Sequence, residues 1–164
     1  MKLKFKKQQY QDDASLSIVK CFEGQPKGTR HDLIGRRETN FDLRDATGKD
    51  YWNQNSVEDI ISFGNNKIML TSEELRKNIR AVQKQNNLDY TDNQGYENYS
   101  VEMETGTGKT YTYTKTMYEL NKAYGWSKFI VIVPSIAIRE GVLKSFQITE
   151  EHFQELYKKK IRFF

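Results

Sequence analysis

Glu102-Met-Glu-Thr-Gly-Thr-Gly-Lys-Thr110 ends in six residues, Thr105-Gly-Thr-Gly-Lys-Thr110, with the order of a phosphate-binding loop. Gly106 and Gly108 allow a tight backbone, so that several N–H groups converge on one point. Lys109 supplies a point charge for outer phosphates, and the Thr110 hydroxyl suits a Mg²⁺ ligand. Met103 stands where the longer form of this loop carries its first glycine, so the shorter form is present. Its context has to be strand, loop, helix. Tyr99, Val101 and Met103 alternate with Ser100 and Glu102, which predicts a strand. Downstream, Tyr111, Lys115, Tyr118 and Lys122 share one helical face, and Met117, Leu120 and Tyr124 form an apolar one. The spacing predicts a helix from Lys109 that Gly125 closes, its positive end toward the phosphates.

Working outward, 164 residues suffice for one domain with a core. Apolar residues are 37% of the chain and mean hydropathy is −0.82, which implies a polar surface or reliance on partners. A net charge of +4 fits nucleic-acid contact without requiring it, since 26 basic residues are interspersed with 22 acidic ones. No apolar run reaches membrane-spanning length, and lysine-rich Met1–Lys7 lacks a secretory apolar stretch. A single cysteine, Cys21, excludes an internal disulfide, and two distant histidines offer no metal cluster. A cytoplasmic chain is expected.

In chain order, residues 1–24 read as an N-terminal helical segment. Tyr10, Ala14, Ile18, Cys21 and Phe22 make an apolar stripe on a helix from Gln8 to Gly24, with Tyr10 and Cys21 as core. Gln11 lies beside the stripe, either solvated or reading a base edge. Residues 25–97 read as a polar insertion. Within it, Leu33-Ile34 and Phe41–Leu43 are short strand candidates, Asp45–Gly48 a turn, and Asn55-Ser56 a cap for a helix through Phe63. Thr71-Ser-Glu-Glu74 is a capping box opening a helix to about Asn87, and 86–98 is a loop. Residues 98–164 hold the phosphate loop, then Phe129-Ile-Val-Ile-Val133, an apolar β-branched run suited to a strand covered on both faces. Ser135 caps a helix through about Phe146, a second helix starts at Thr149 and ends in Lys158-Lys-Lys160, and Ile161–Phe164 begins another strand. Alternating strands and helices predict an α/β fold with a parallel sheet flanked by helices. A chain stopping inside a strand is expected to be part of a longer protein.

Three tracts together resemble a known family: Tyr10-Gln11 with Ala14, Val101–Thr110, and Ile132-Val-Pro-Ser-Ile-Ala-Ile-Arg-Glu-Gly141. In order and spacing they resemble the glutamine motif, motif I and motif Ia of the Res subunit of type III restriction enzymes. The resemblance implies the first RecA-like domain of a superfamily 2 helicase-type motor, a P-loop NTPase fold with only its front present. It implies ATP and Mg²⁺ as cofactors. Lys109 would contact the β- and γ-phosphates, Thr110 the metal, and the backbone from Thr105, Gly106, Thr107 and Gly108 to Lys109 would cradle phosphate. Catalytic roles would thus fall to Lys109 and Thr110. Gln11 would read adenine, with Gln8 and Gln9 as substitutes. Pro134, Ser135 and Arg139 would touch the backbone of double-stranded DNA, although Arg139 equally suits a solvated helix face. A methylation (Mod) subunit is the implied protein partner.

No Asp-Glu pair follows a β-branched run, and neither an arginine finger nor a nuclease acid–lysine set is recognisable. Phosphoryl transfer needs charge stabilisation from both sides of the nucleotide. The chain alone is therefore expected to bind Mg·ATP weakly without turnover. Two other classes remain: a DNA- or protein-binding module keeping the loop for structure, and a P-loop kinase, for which no lid or substrate base is found.

Overall fold

In the computed structural model the described residues are 5–28, 65–89 and 98–163, and they form four helices. These are α1 (Gln9–Lys20), α2 (Ser72–Gln85), α3 (Lys109–Tyr124) and α4 (Ile136–Tyr157). α3 is central, with α1 against one side and α4 against another, while α2 rests on α1.

Where a cap is encoded, the helix follows it. The Thr71 hydroxyl accepts from the Glu74 amide (3.3 Å) and the Glu74 carboxylate accepts from the Thr71 amide (2.8 Å). These bonds from Thr71 hold the Glu74 carboxyl below its ordinary value. Gly108 precedes α3 with φ 87° and Gly125 ends it with φ 78°, both in the left-handed region where a Cβ is costly. A Cβ on Gly125 would also lie 2.8 Å from the Gly28 carbonyl. Ser135 caps α4 by accepting from the Ile138 amide.

The main apolar cluster lies at the ends of α1 and α3 away from the loop. Cys21, Phe22, Leu75, Leu120, Tyr124 and Trp126 are buried together, with Ile18, Val19, Ile79 and Val82 packed around them. The Phe22 ring meets Trp126 edge-on at 4.9 Å, and the Tyr124 hydroxyl donates to the Val19 carbonyl. Burial pushes the Cys21 thiol up to about 11, against a weaker opposing hydrogen bond to its own backbone.

Four expectations are corrected. The parallel sheet of a RecA-like P-loop NTPase is not formed: no strand occurs among the described residues. Segments 98–104, 126–133 and 159–163 belong to neither a helix nor a strand. Ile130 and Ile132 are 91% and 90% exposed, the reverse of a strand covered on both faces. β-Branched side chains favour extended backbone, but a strand exists only through a neighbour's amides and carbonyls. Here a side chain takes part of that place: the Asn65 amide oxygen accepts from the Ser127 and Lys128 amides, and its nitrogen donates to the Lys128 carbonyl.

Second, α4 is one helix where two were expected. Thr149 does not cap a new helix, because its hydroxyl donates back to the Ser145 carbonyl inside the existing one (2.8 Å). Third, α1 stops at Lys20, and residues 21–24 form turns. Fourth, Tyr10 is 48% exposed, whereas Gln11, Asp12 and Ser15 are buried. The strand, turn and helix expectations within 33–63 and most of loop 86–98 lie outside the described residues.

Candidate functional site: the loop ahead of helix α3

The first turn of α3 starts directly from the glycine-rich loop, and no side chain caps it. The amides of Gly108, Lys109, Thr110 and Tyr111 meet no acceptor among the described residues. Four such donors at a helix start make a partial positive charge with room for an anion. Gly106 and Gly108 both have positive φ, 84° and 87°. That geometry turns the chain tightly enough for the Glu104 carbonyl to accept from the Thr107 hydroxyl (2.6 Å) and from the Lys109 ammonium (2.7 Å). The ammonium therefore lies folded across the loop, and one carbonyl bond leaves donors for an incoming anion.

Helix α1 reaches the same loop. The Gln11 side-chain nitrogen donates to the Thr107 carbonyl at 2.8 Å, and the Tyr10 hydroxyl donates to the same oxygen at 3.1 Å. Gln11 fills the space beside Gly108 so closely that a Cβ there would sit 2.6 Å from its nitrogen. The structure brings Gln11 to the loop. Gln9 instead donates to Asp13, and Gln8 stands at the head of α1. Tyr10 was expected in the core and is a loop contact instead. No local signal marks it: Tyr10 shares the spacing of the apolar stripe, and adjacent helical residues do not share a face, so Gln11 beside it gives no pointer.

The seam between α1 and α3 explains why α1 turns a polar face inward. Asp12 and Lys115 form a buried ion pair, joined by Lys7 from the exposed side at 3.0 Å. The Ser15 hydroxyl donates to the Gln11 and Thr112 carbonyls. Burial pushes the Lys115 ammonium below its ordinary value, and Glu119 opposes this. A buried charge is tolerated only when paired, so Asp12 has to face Lys115, and that places Gln11 one residue away at the loop.

On its other side α3 contacts α4 through rings. The Tyr111 hydroxyl lies 2.9 Å from His152 Nε2, and Phe5 and Phe153 pack against the same pair. Burial lowers the His152 pKa, and Lys115 adds to this while Glu155 opposes it. The Tyr157 hydroxyl donates to Glu119 (2.7 Å), and burial with that carboxylate raises its pKa.

Pro134, Ser135 and Arg139 are exposed at the start of α4. The Ser135 hydroxyl is used as the cap, and its carbonyl accepts from the Arg139 amide. Among the described residues no hydrogen bond or ion pair joins these three to the loop. Arg139 instead borders a separate concavity of about 1160 Å³ between α3, α4 and segments 126–133 and 159–163. No residue of 104–110 lines it. Among the described residues no cluster of three His, Cys, Asp or Glu could hold a metal alone. A Mg²⁺ at the Thr110 hydroxyl would need oxygen ligands from a phosphate. The loop fits such a group: uncapped amides, a lysine across them, and a glycine where a Cβ would collide. No helix among the described residues is long and apolar enough to cross a membrane.

Comparison with known proteins agrees with these features. The family model described as type III restriction enzyme, res subunit, matches residues 4–162. The EcoPI Res subunit of Escherichia phage P1 is 45% identical over 105 residues, covering 60% of this chain and 11% of that protein. The EcoP15I Res subunit of Escherichia coli is 42% identical over 104 residues, again 60% of this chain and 11% of the relative. The StyLTI Res subunit of Salmonella typhimurium is 48% identical over 63 residues, 37% of this chain and 6% of the relative. The chain thus spans about a tenth of the length of the first two relatives. Matched over nearly all its residues, and with its loop and helix starts built as described, the chain belongs to the Res-subunit family of type III restriction enzymes.

Proposed function

We propose that this chain is the ATP-binding front of a DNA-translocating restriction subunit, and that Mg·ATP sits on the loop at residues 105–110. The observation that carries this is the uncapped start of α3, with Lys109 folded across it and Gln11 at its flank. Bound Mg·ATP would supply the phosphoanhydride whose hydrolysis drives motion along DNA. The chain's own residues bind and orient it. The amides from Gly106 to Lys109 and the backbone of Thr105 and Thr107 cradle the phosphates. Lys109 exchanges part of its Glu104 contact for the β- and γ-oxygens, and Thr110 offers its hydroxyl to the metal. Gln11 keeps its side-chain oxygen for the adenine amino group while its nitrogen stays on Thr107. At the head of α4, Ser135 and Arg139, with Pro134, contact the backbone of double-stranded DNA without reading its sequence. The methylation (Mod) subunit implied by the resemblance is the proposed protein partner. Alone, the chain binds without appreciable turnover, because it offers charge to one side of the nucleotide.

The test is calorimetric titration of the chain with Mg·ATP. Lys109→Ala is expected to weaken binding by about tenfold or more, the scale of losing one charge-assisted hydrogen bond of roughly 1.5–3 kcal/mol. Undiminished binding in the variant would remove the loop from the function. DNA binding that weakens with salt but ignores nucleotide would instead favour a binding module with a structural loop.

A further inference from the structure

The Thr107 carbonyl accepts two side-chain donors from one helix, the Gln11 amide and the Tyr10 hydroxyl. A trans peptide is planar, so its C=O and the following N–H point in opposite directions. No cis peptide occurs among the described residues. Drawing the Thr107 oxygen toward α1 therefore turns the Gly108 N–H away from α1, toward the open side of the loop at the start of α3. Gly108 alone could not hold that plane, because glycine has no Cβ to bias its torsions. The loop's own contacts, from Thr107 and Lys109 to the Glu104 carbonyl, fix the preceding peptides and leave this one to α1.

We propose that Tyr10 is a positioning residue of the phosphate loop: with Gln11 it holds the 107–108 peptide plane so that the Gly108 amide faces an incoming oligophosphate. The role rests on the nucleotide reading above and adds a division of labour to it. Gln11 is shared between base and loop, whereas the Tyr10 hydroxyl donates to the loop and acts on the phosphate end whatever the base. Its ring is half exposed, so it contributes little to the core, and its hydroxyl is the group that matters.

The experiment compares the wild-type chain and Tyr10→Phe by calorimetry with three ligands: Mg·ATP, Mg·GTP and magnesium tripolyphosphate. Thermal unfolding of both proteins is followed in parallel. Loss of one hydroxyl is expected to weaken all three ligands by the same factor, roughly three- to tenfold, with an unchanged unfolding midpoint. The Gly108 amide resonance is expected to move in the ligand-free variant, a signature that a packing role would not give. Unchanged tripolyphosphate affinity, or a loss confined to ATP, would overturn the positioning role and leave the loop's nucleotide function standing. A wild-type chain that binds neither ATP nor tripolyphosphate would overturn the nucleotide reading, and this role with it.

Discussion

At Gly108 two constraints meet in one residue. Its φ of 87° disfavours any side chain, and the Gln11 nitrogen occupies the site where a Cβ would go. Gly106 has nearly the same φ, 84°, with nothing within 4 Å of its Cβ position. The pair separates backbone strain from crowding. Gly106→Ala should cost about 1–2 kcal/mol of unfolding free energy, the ordinary penalty for a left-handed residue. Gly108→Ala should cost more, since Gln11 has to leave Thr107 as well, and it should weaken nucleotide binding further. Denaturant unfolding of both variants checks this, and equal costs would show that Gln11 does not press on the loop. Residues such as these are readable in sequence because glycine before a helix has few other reasons to be there. Tyr10 is not readable in the same way. An aromatic ring at helical spacing from Ala14 and Ile18 fits a core stripe, and only the polar partners on α3 turn the helix so that Tyr10 faces the loop.

The helices differ in how far their own residues specify them. Thr71 with Glu74, Gly125 and Ser135 mark helix ends by satisfying local amides and carbonyls, so sequence alone places them within a residue or two. The inward face of α1 depends instead on Lys115, 103 residues away from Asp12, and no local periodicity carries that information. α4 runs on through Thr149, whose hydroxyl turns to the carbonyl behind it and leaves the amides ahead to the helix.

Between α3 and α4 the part-buried Tyr111–His152 contact is expected to make stability depend on pH. Burial depresses the folded-state pKa of His152 below its ordinary 6.5, so the unfolded chain takes up the proton first. Its contribution to stability is therefore fully present above pH 6.5 and is lost as pH falls from there through the lower folded value. Urea unfolding of the wild type should show stability declining over that window. His152→Gln should lack that component, while carboxylates such as Glu74 act only at more acidic pH. Parallel profiles for the two proteins would mean that His152 is not held neutral between the helices.

Across the whole molecule, the apolar cluster holds the far ends of α1, α2 and α3, and a polar seam governs the near ends where the loop opens. Apolar packing and the contacts that shape the loop thus reside in different parts of the same helix pair. The sheet expected from Val101, Met103 and residues 129–133 is the part that sequence reading overstates. An extended, β-branched segment records a preference, whereas a sheet requires partners, and Ile130 and Ile132 face outward. The family assignment survives this correction because it rests on residues 4–162 as a matched sequence and on the loop's construction.

The proposed nucleotide site requires that the amides at the start of α3 receive an oligophosphate. Amide nitrogen–proton spectra of the labelled chain, titrated with Mg·ATP, address those groups one by one. Gly108, Lys109 and Thr110 are expected to move downfield together and to saturate at a common affinity that Lys109→Ala reduces. Saturable binding of Mg·ATP with those three resonances unmoved would put the nucleotide away from the start of α3.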